Sequence, residues 1–156
     1  MLVLKHKVFA YITHGDRLLV FSQPGAPEAG IQVPAGTVEA HEALDAAVLR
    51  EASEETGLTS LAIVCFLGEQ MRDMADVGRD EVHHRHFYHL QCDGETPETW
   101  RHLEPDPSDG STVLIPFEFF WVRLPDETPT LIADHGAMLP RLIETFRGGA
   151  ESKTSA

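Results

Sequence analysis

Residues 36–58 read GTVEAHEALDAAVLREASEETGL, and the placement of their acids decides how the chain is understood. The spacing predicts a helix from about residue 42 to Thr56, ended by Gly57. At roughly 100° per residue, with Leu44 as zero, Ala47 falls at about 300°, Val48 at about 40° and Ala52 at about 80°, so the apolar stripe is centred near Leu44. On the same wheel Glu51 comes at about 340° and Glu55 at about 20°, with Glu54 on the flank at about 280°. Two carboxylates therefore lie on the core-facing side, where an ionised group costs several kcal/mol unless it is paired. The last helical turn also carries partial negative charge, and acids three or four apart repel by roughly 0.2 to 0.5 kcal/mol per pair. A divalent cation relieves these penalties together, so a metal site is expected at the inner C-terminal end of this helix.

On the N-terminal side, residues 7–12 and 17–21 are β-rich runs around Thr13, His14, Gly15 and Asp16, which predicts an opening hairpin. Residues 22–30 are a loop dense in proline and glycine, residues 31–33 a short strand, and residues 37–41 a bridging loop after the turn at Gly36. On the C-terminal side, residues 60–69 and 82–91 read as strands around a charged loop at 71–81. Residues 93–110 read as a proline-bearing loop. Residues 112–124, TVLIPFEFFWVRL, form either one strand broken by Pro116 or two short ones. Residues 134–146 have helical spacing, and residues 148–156 are expected to be a flexible tail. The expectation is one α/β domain over residues 1–147, without internal repeats.

The bounds agree with this. A chain of 156 residues buries one substantial core, and its 42% hydrophobic content includes no apolar run long enough to span a bilayer. The opening residues MLVLKHKVFAYI lack a signal-peptide pattern, so cytoplasm is the default location. Twelve basic against twenty-five acidic residues give a formal charge of −13, with the basic residues scattered, which argues against a nucleic-acid partner. A polyanionic small substrate meets the same repulsion and needs metal ions to approach. Cys65 and Cys92 stand far apart in strand-like surroundings and read as reduced, buried thiols.

The order Gly36, five residues, Glu42, seven residues, Arg50, Glu51, Ala52, Ser53, Glu54, Glu55, Thr56, Gly57 and Leu58 reproduces every position of the Nudix box. Seven fixed identities co-occur by chance at roughly one in 10⁸ starting points. The chain resembles a Nudix hydrolase, and the resemblance implies an α/β/α sandwich with a mixed β-sheet and a loop-helix-loop site. It also implies a pyrophosphohydrolase that cleaves the diphosphate linkage of a nucleoside diphosphate joined to another group, such as a nucleotide or a nucleotide sugar. Mg²⁺, or Mn²⁺, is then held by Glu51, Glu54 and Glu55, with the backbone carbonyl of Gly36. Arg50 and Glu42 match supporting positions, Arg50 as the guanidinium that orients a metal-binding glutamate. The general base comes either from the box acids or from Glu118 in FEFFWVRL. Homodimers are common among similar proteins, although no residue here demonstrates one.

The run HHRHFYH raises a second metal question. On a strand, His84 and His86 share one face with Tyr88, while His83 shares the other with Arg85, Phe87 and His89, so no three are expected together for zinc. The preferred reading has His84, His86 and Tyr88 lining the substrate cleft, where they hydrogen-bond phosphate or stack on a base. Trp100 and Trp121 are further stacking candidates, with Trp121 better read as core. Substrate signatures of the family are absent: no proline occurs over residues 59–96, no tyrosine stands at residues 74–76, and the arginine-bearing motif of coenzyme A hydrolases does not precede the box. Two rivals accompany the hydrolase. A non-catalytic nucleotide sensor on the same fold would be expected to lack a box carboxylate. An isomerase of allylic diphosphates would need a cleft cysteine.

Overall fold

β1 (Val3–His14) is buried on both sides, because its alternating residues serve two cores: Val8, Ala10 and Ile12 on one face, Phe9 and Tyr11 on the other. In the computed structural model, which describes residues 2–103 and 115–154 with side chains as far as Phe146, this strand sits inside a mixed seven-stranded sheet. A hairpin leads into β2 (Arg17–Ser22), yet β1 and β2 pair only at Thr13↔Leu18 and His14↔Arg17. Farther along, β3 (Ala35–Thr37) takes the place beside β1, with Lys7↔Thr37, Val8↔Gly36 and Phe9↔Ala35 in register. The other edge of β1 runs parallel to β5 (Glu81–Cys92), from Val3↔Glu81 to Thr13↔Gln91. β4 (Leu61–Asp73) lies antiparallel on β5, β7 (Pro116–Arg123) on β2, and β6 (Thr99–Leu103) on β7. The resulting order is β4-β5-β1-β2-β7-β6, with β3 inserted beside β1.

One helix closes each face. α1 (Leu44–Thr56) packs Ala47, Val48 and Ala52 on the Val8 face, and α2 (Leu139–Thr154) packs Leu139 and Leu142 on the Phe9 face. This is the expected α/β/α sandwich. Gly57 ends α1 in the left-handed region, at φ 79°.

Several local expectations are corrected. The strand near residues 31–33 reduces to one bridge from Gln32 to Phe21, and pairing begins at Ala35, in a three-residue segment too short to show a period of two. β6 lies inside the stretch expected to be only loop. Pro116 is the first residue of β7, where its missing N–H interrupts no ladder, and residues 112–114 of the expected strand lie outside the described residues. α2 begins at Leu139 because Ala133 and Asp134 take left-handed φ values of 49° and 61° in the short turn Ile132–Asp134. It then continues to Thr154.

Candidate active site

The acids of α1 sit in the order that the wheel gives. Glu55 is 6% exposed, the Glu51 side chain 15% and the Glu54 side chain 53%. Arg50 organises them. Its Nε and Nη2 donate to the two oxygens of Glu42 at 2.7 and 2.8 Å, its Nη1 donates to Glu51 Oε1 at 2.8 Å, and its Nη2 also reaches the Thr37 carbonyl at 3.2 Å. Glu54 Oε2 lies 3.4 Å from the same Nη1. The guanidinium fork holds the Glu42 carboxyl down to about 2. Burial wins over this pairing at Glu51, whose pKa is raised despite Arg50, so its carboxylate is under-compensated where it stands.

β3 brings the beginning of the box against the end of α1. A Cβ on Gly36 would overlap the Glu51 carboxylate, so only glycine permits this approach. The far end of the helix is fastened by β6: Trp100 Nε1 donates to the Thr56 carbonyl at 2.9 Å, and His102 Nε2 lies 2.8 Å from the Glu54 carbonyl. These contacts satisfy carbonyls that a helix end otherwise leaves open.

Glu51, Glu54, Glu55 and Gly36 line one cleft of about 1290 Å³, which spreads over β3 and the neighbouring parts of β1 and β5. The same cleft is lined by Lys7, Arg79 and Arg85. Lys7 Nζ donates to Thr37 Oγ1 at 2.7 Å, and burial lowers its pKa, with nearby Lys5 adding to the effect. Arg85 is 1% exposed, and burial pulls its pKa to about 10, which leaves it cationic at neutral pH. It lies over the Phe9 ring at 4.8 Å and donates to the Ala133 carbonyl at 2.6 Å. No carboxylate pairs with it among the described residues, and its Nε has no partner. A buried guanidinium with no carboxylate partner keeps donor capacity unmet. The box carboxylates offer only hard oxygen donors, which fits Mg²⁺ or Mn²⁺ better than a softer ion.

Other expected site residues lie elsewhere. His83 and Arg85 of β5 line the cleft, whereas His84, His86 and Tyr88, on the alternate face of that strand, are not among its lining residues. Tyr88 packs in the core under α1 and interacts with Asp45. Glu118 is also outside the cleft lining, with Oε2 3.7 Å from Arg101 Nη2, because β7 alternation gives the Phe117 and Phe119 positions to the core. Trp100 and Trp121 do not line the cleft: Trp100 stacks on Phe119, and Trp121 donates to the Pro97 carbonyl. The sequence reading missed Lys7 and Arg85, which look like ordinary strand cations until β1 and β5 are placed side by side.

A family model described as the NUDIX domain matches residues 4–142. Among solved structures, the fold is similar to that of a UDP-X diphosphatase, with a TM-score of 0.64 and 15% identity over 96% of this chain and 66% of that one. The chain thus spans just under two thirds of that relative's length. It is also similar to the MutT protein from Methanosarcina mazei Go1, with a TM-score of 0.61 and 18% identity over 96% of each chain. The MutT NUDIX hydrolase from Burkholderia pseudomallei gives 0.59 and 25% identity over 88% of this chain and 96% of that one. No curated protein matches the chain.

Proposed function

Because this chain belongs to the NUDIX family, we propose that it is a pyrophosphohydrolase that cleaves the diphosphate linkage of a small nucleoside diphosphate derivative, using Mg²⁺ or Mn²⁺ held by Glu51, Glu54, Glu55 and the Gly36 carbonyl. The observation that carries this reading is one cleft lined both by the box carboxylates and by the cations Lys7 and Arg85. In a protein of charge −13, these cations supply local attraction for phosphate oxygens.

When bound, the divalent cation neutralises the diphosphate and lowers the pKa of an attacking water. Arg50 keeps Glu51 and Glu42 in one orientation, so that the carboxylates need no rearrangement during turnover. Lys7 and Arg85 anchor the anionic substrate. The proton of the water passes to a box carboxylate, since these acids line the cleft and Glu118 does not. Neither Cys65 nor Cys92 lines the cleft, which speaks against the isomerase. Both thiols are free, which supports action in the reducing cytoplasm. Among the described residues, no helix is long and apolar enough to cross a membrane.

The test is a panel of nucleotides, nucleotide sugars and dinucleoside polyphosphates assayed with Mg²⁺ for mononucleotide or phosphate release. Turnover of at least one class is expected, and Glu54→Gln or Glu55→Gln should lower kcat by about 10²-fold or more while the fold survives. Wild-type rates in both variants would remove the box acids from the mechanism.

A further inference from the structure

The even-numbered side of β5, whose His84 and His86 do not line the cleft, carries a second constellation. His6 on β1 stands in register with His84, and Val8 with His86, so a third imidazole from the neighbouring strand joins the pair on β5. The ring centroids of His84 and His86 are 4.2 Å apart, those of His6 and His84 5.4 Å, and those of His6 and His86 6.2 Å. One donor nitrogen from each ring lies within 4.8 Å of the others. The expectation that no three histidines meet considered β5 alone; parallel pairing with β1 supplies the third.

A carboxylate completes the group. The register of β4 on β5 shifts between Phe66 and Gly68, where Gly68 has φ 148°, and beyond this bulge Glu69 pairs with His86. Without the extra residue Glu69 would stand opposite Arg85, on the cleft side. Bulges re-aim side chains in this way. Here the result brings Glu69 Oε2 to 3.2 Å from His84 Nε2 and 3.8 Å from His86 Nδ1. The His86 side chain is only 7% exposed, and its Nε2 has no hydrogen-bond partner. A buried imidazole nitrogen without a partner, beside two more imidazoles, is an uncompensated polar cluster that a bound cation would satisfy.

We infer that His6, His84 and His86, with Glu69 as fourth ligand or as the carboxylate orienting His84, form a transition-metal site for an ion of the Zn²⁺ class, separate from the cation site of the box. The donor chemistry selects the ion: imidazoles suit Zn²⁺, Ni²⁺ and Cu²⁺, whereas Mg²⁺ prefers oxygen. Three histidines are a known zinc ligand set, and Zn–N bonds of about 2.0 to 2.1 Å place ligand nitrogens about 3.4 Å apart. The present spacing closes to that value by small ring rotations, which the exposed His6 and half-exposed His84 can make. None of the four residues lines the cleft, although their neighbours Lys7, His83 and Arg85 do. Metal there would clasp β1, β5 and β4 together.

The experiment uses chelator-stripped full-length protein in excess Mg²⁺, titrated with Zn²⁺ by calorimetry and with Co²⁺ by visible absorption, alongside His6→Ala, His84→Asn and Glu54→Gln. One equivalent of Zn²⁺ should bind, raise the melting temperature and give a nitrogen-ligated Co²⁺ spectrum. His6→Ala and His84→Asn should each weaken binding at least tenfold. Glu54→Gln should retain binding, and His6→Ala should retain pyrophosphohydrolase turnover. His6 is exposed, so its replacement leaves the fold intact, as circular dichroism will verify. Equal Zn²⁺ affinity in wild type and His6→Ala, or loss of binding only in Glu54→Gln, would overturn the site.

Discussion

Arg50 and Arg85 show how one residue type serves opposite ends. Arg50 is saturated by carboxylates and a carbonyl, and its fork geometry is what Lys lacks. Arg50→Lys should therefore keep the charge yet lower kcat and raise the Mg²⁺ concentration for half-maximal rate, by about 10- to 100-fold as is usual when a group orienting metal ligands is lost. The check is the initial rate as a function of Mg²⁺. Arg85, in contrast, is buried without an acid. Arg85→Met removes an uncompensated charge from the interior, so the melting temperature should hold or rise while kcat/KM falls by about tenfold or more. A parallel loss of stability would mark Arg85 as structural. The acids of the box were legible in the sequence because a single helix carries them. Lys7 and Arg85 were not, since their meeting depends on strand pairing across distant positions.

The element that most affects the box is β6, a five-residue edge strand. Through Trp100 and His102 it holds the carbonyl end of α1. Trp100→Phe keeps the ring stacked on Phe119 but removes the donor to Thr56, which should cost about 1 kcal/mol. For a domain of this size that is a drop of about 2 to 4 °C in melting temperature, read by calorimetry. A smaller drop would mean that water replaces the indole N–H. β6 escaped sequence reading because Thr99, Arg101 and Leu103 alternate with only two inward residues inside a polar, proline-bearing stretch. β3 escaped because three residues containing a glycine show no period. The long elements β1, β5 and α1 were legible from their alternation or helical spacing, and Pro116 marked the beginning of β7.

Across the whole molecule, the box acids link stability to ligand. Glu51 is held half-buried with its carboxylate disfavoured, and Glu55 is buried, so a cation bound only by the folded chain should raise the melting temperature. The gain is about 2.7 kcal/mol at about a hundredfold excess over Kd. Calorimetric scans with and without Mg²⁺ read it, and an unchanged curve with binding shown independently would mean the acids are already satisfied. The α/β/α layering was legible once the box was recognised, whereas the order of strands was not, because sequence patterns do not say which distant strand β1 pairs with. That pairing has a kinetic consequence. β1 joins β5 along a parallel ladder running from Val3↔Glu81 to Thr13↔Gln91, so the strand that carries Lys7 leaves the ribosome long before its neighbour exists. Until β5 arrives, one edge of a strongly apolar strand stays open, and such late, long-range closure favours slow folding and chaperone capture. Synthesis stalled before residue 81 would therefore leave the complete box, present in sequence, without the sheet that makes it a site.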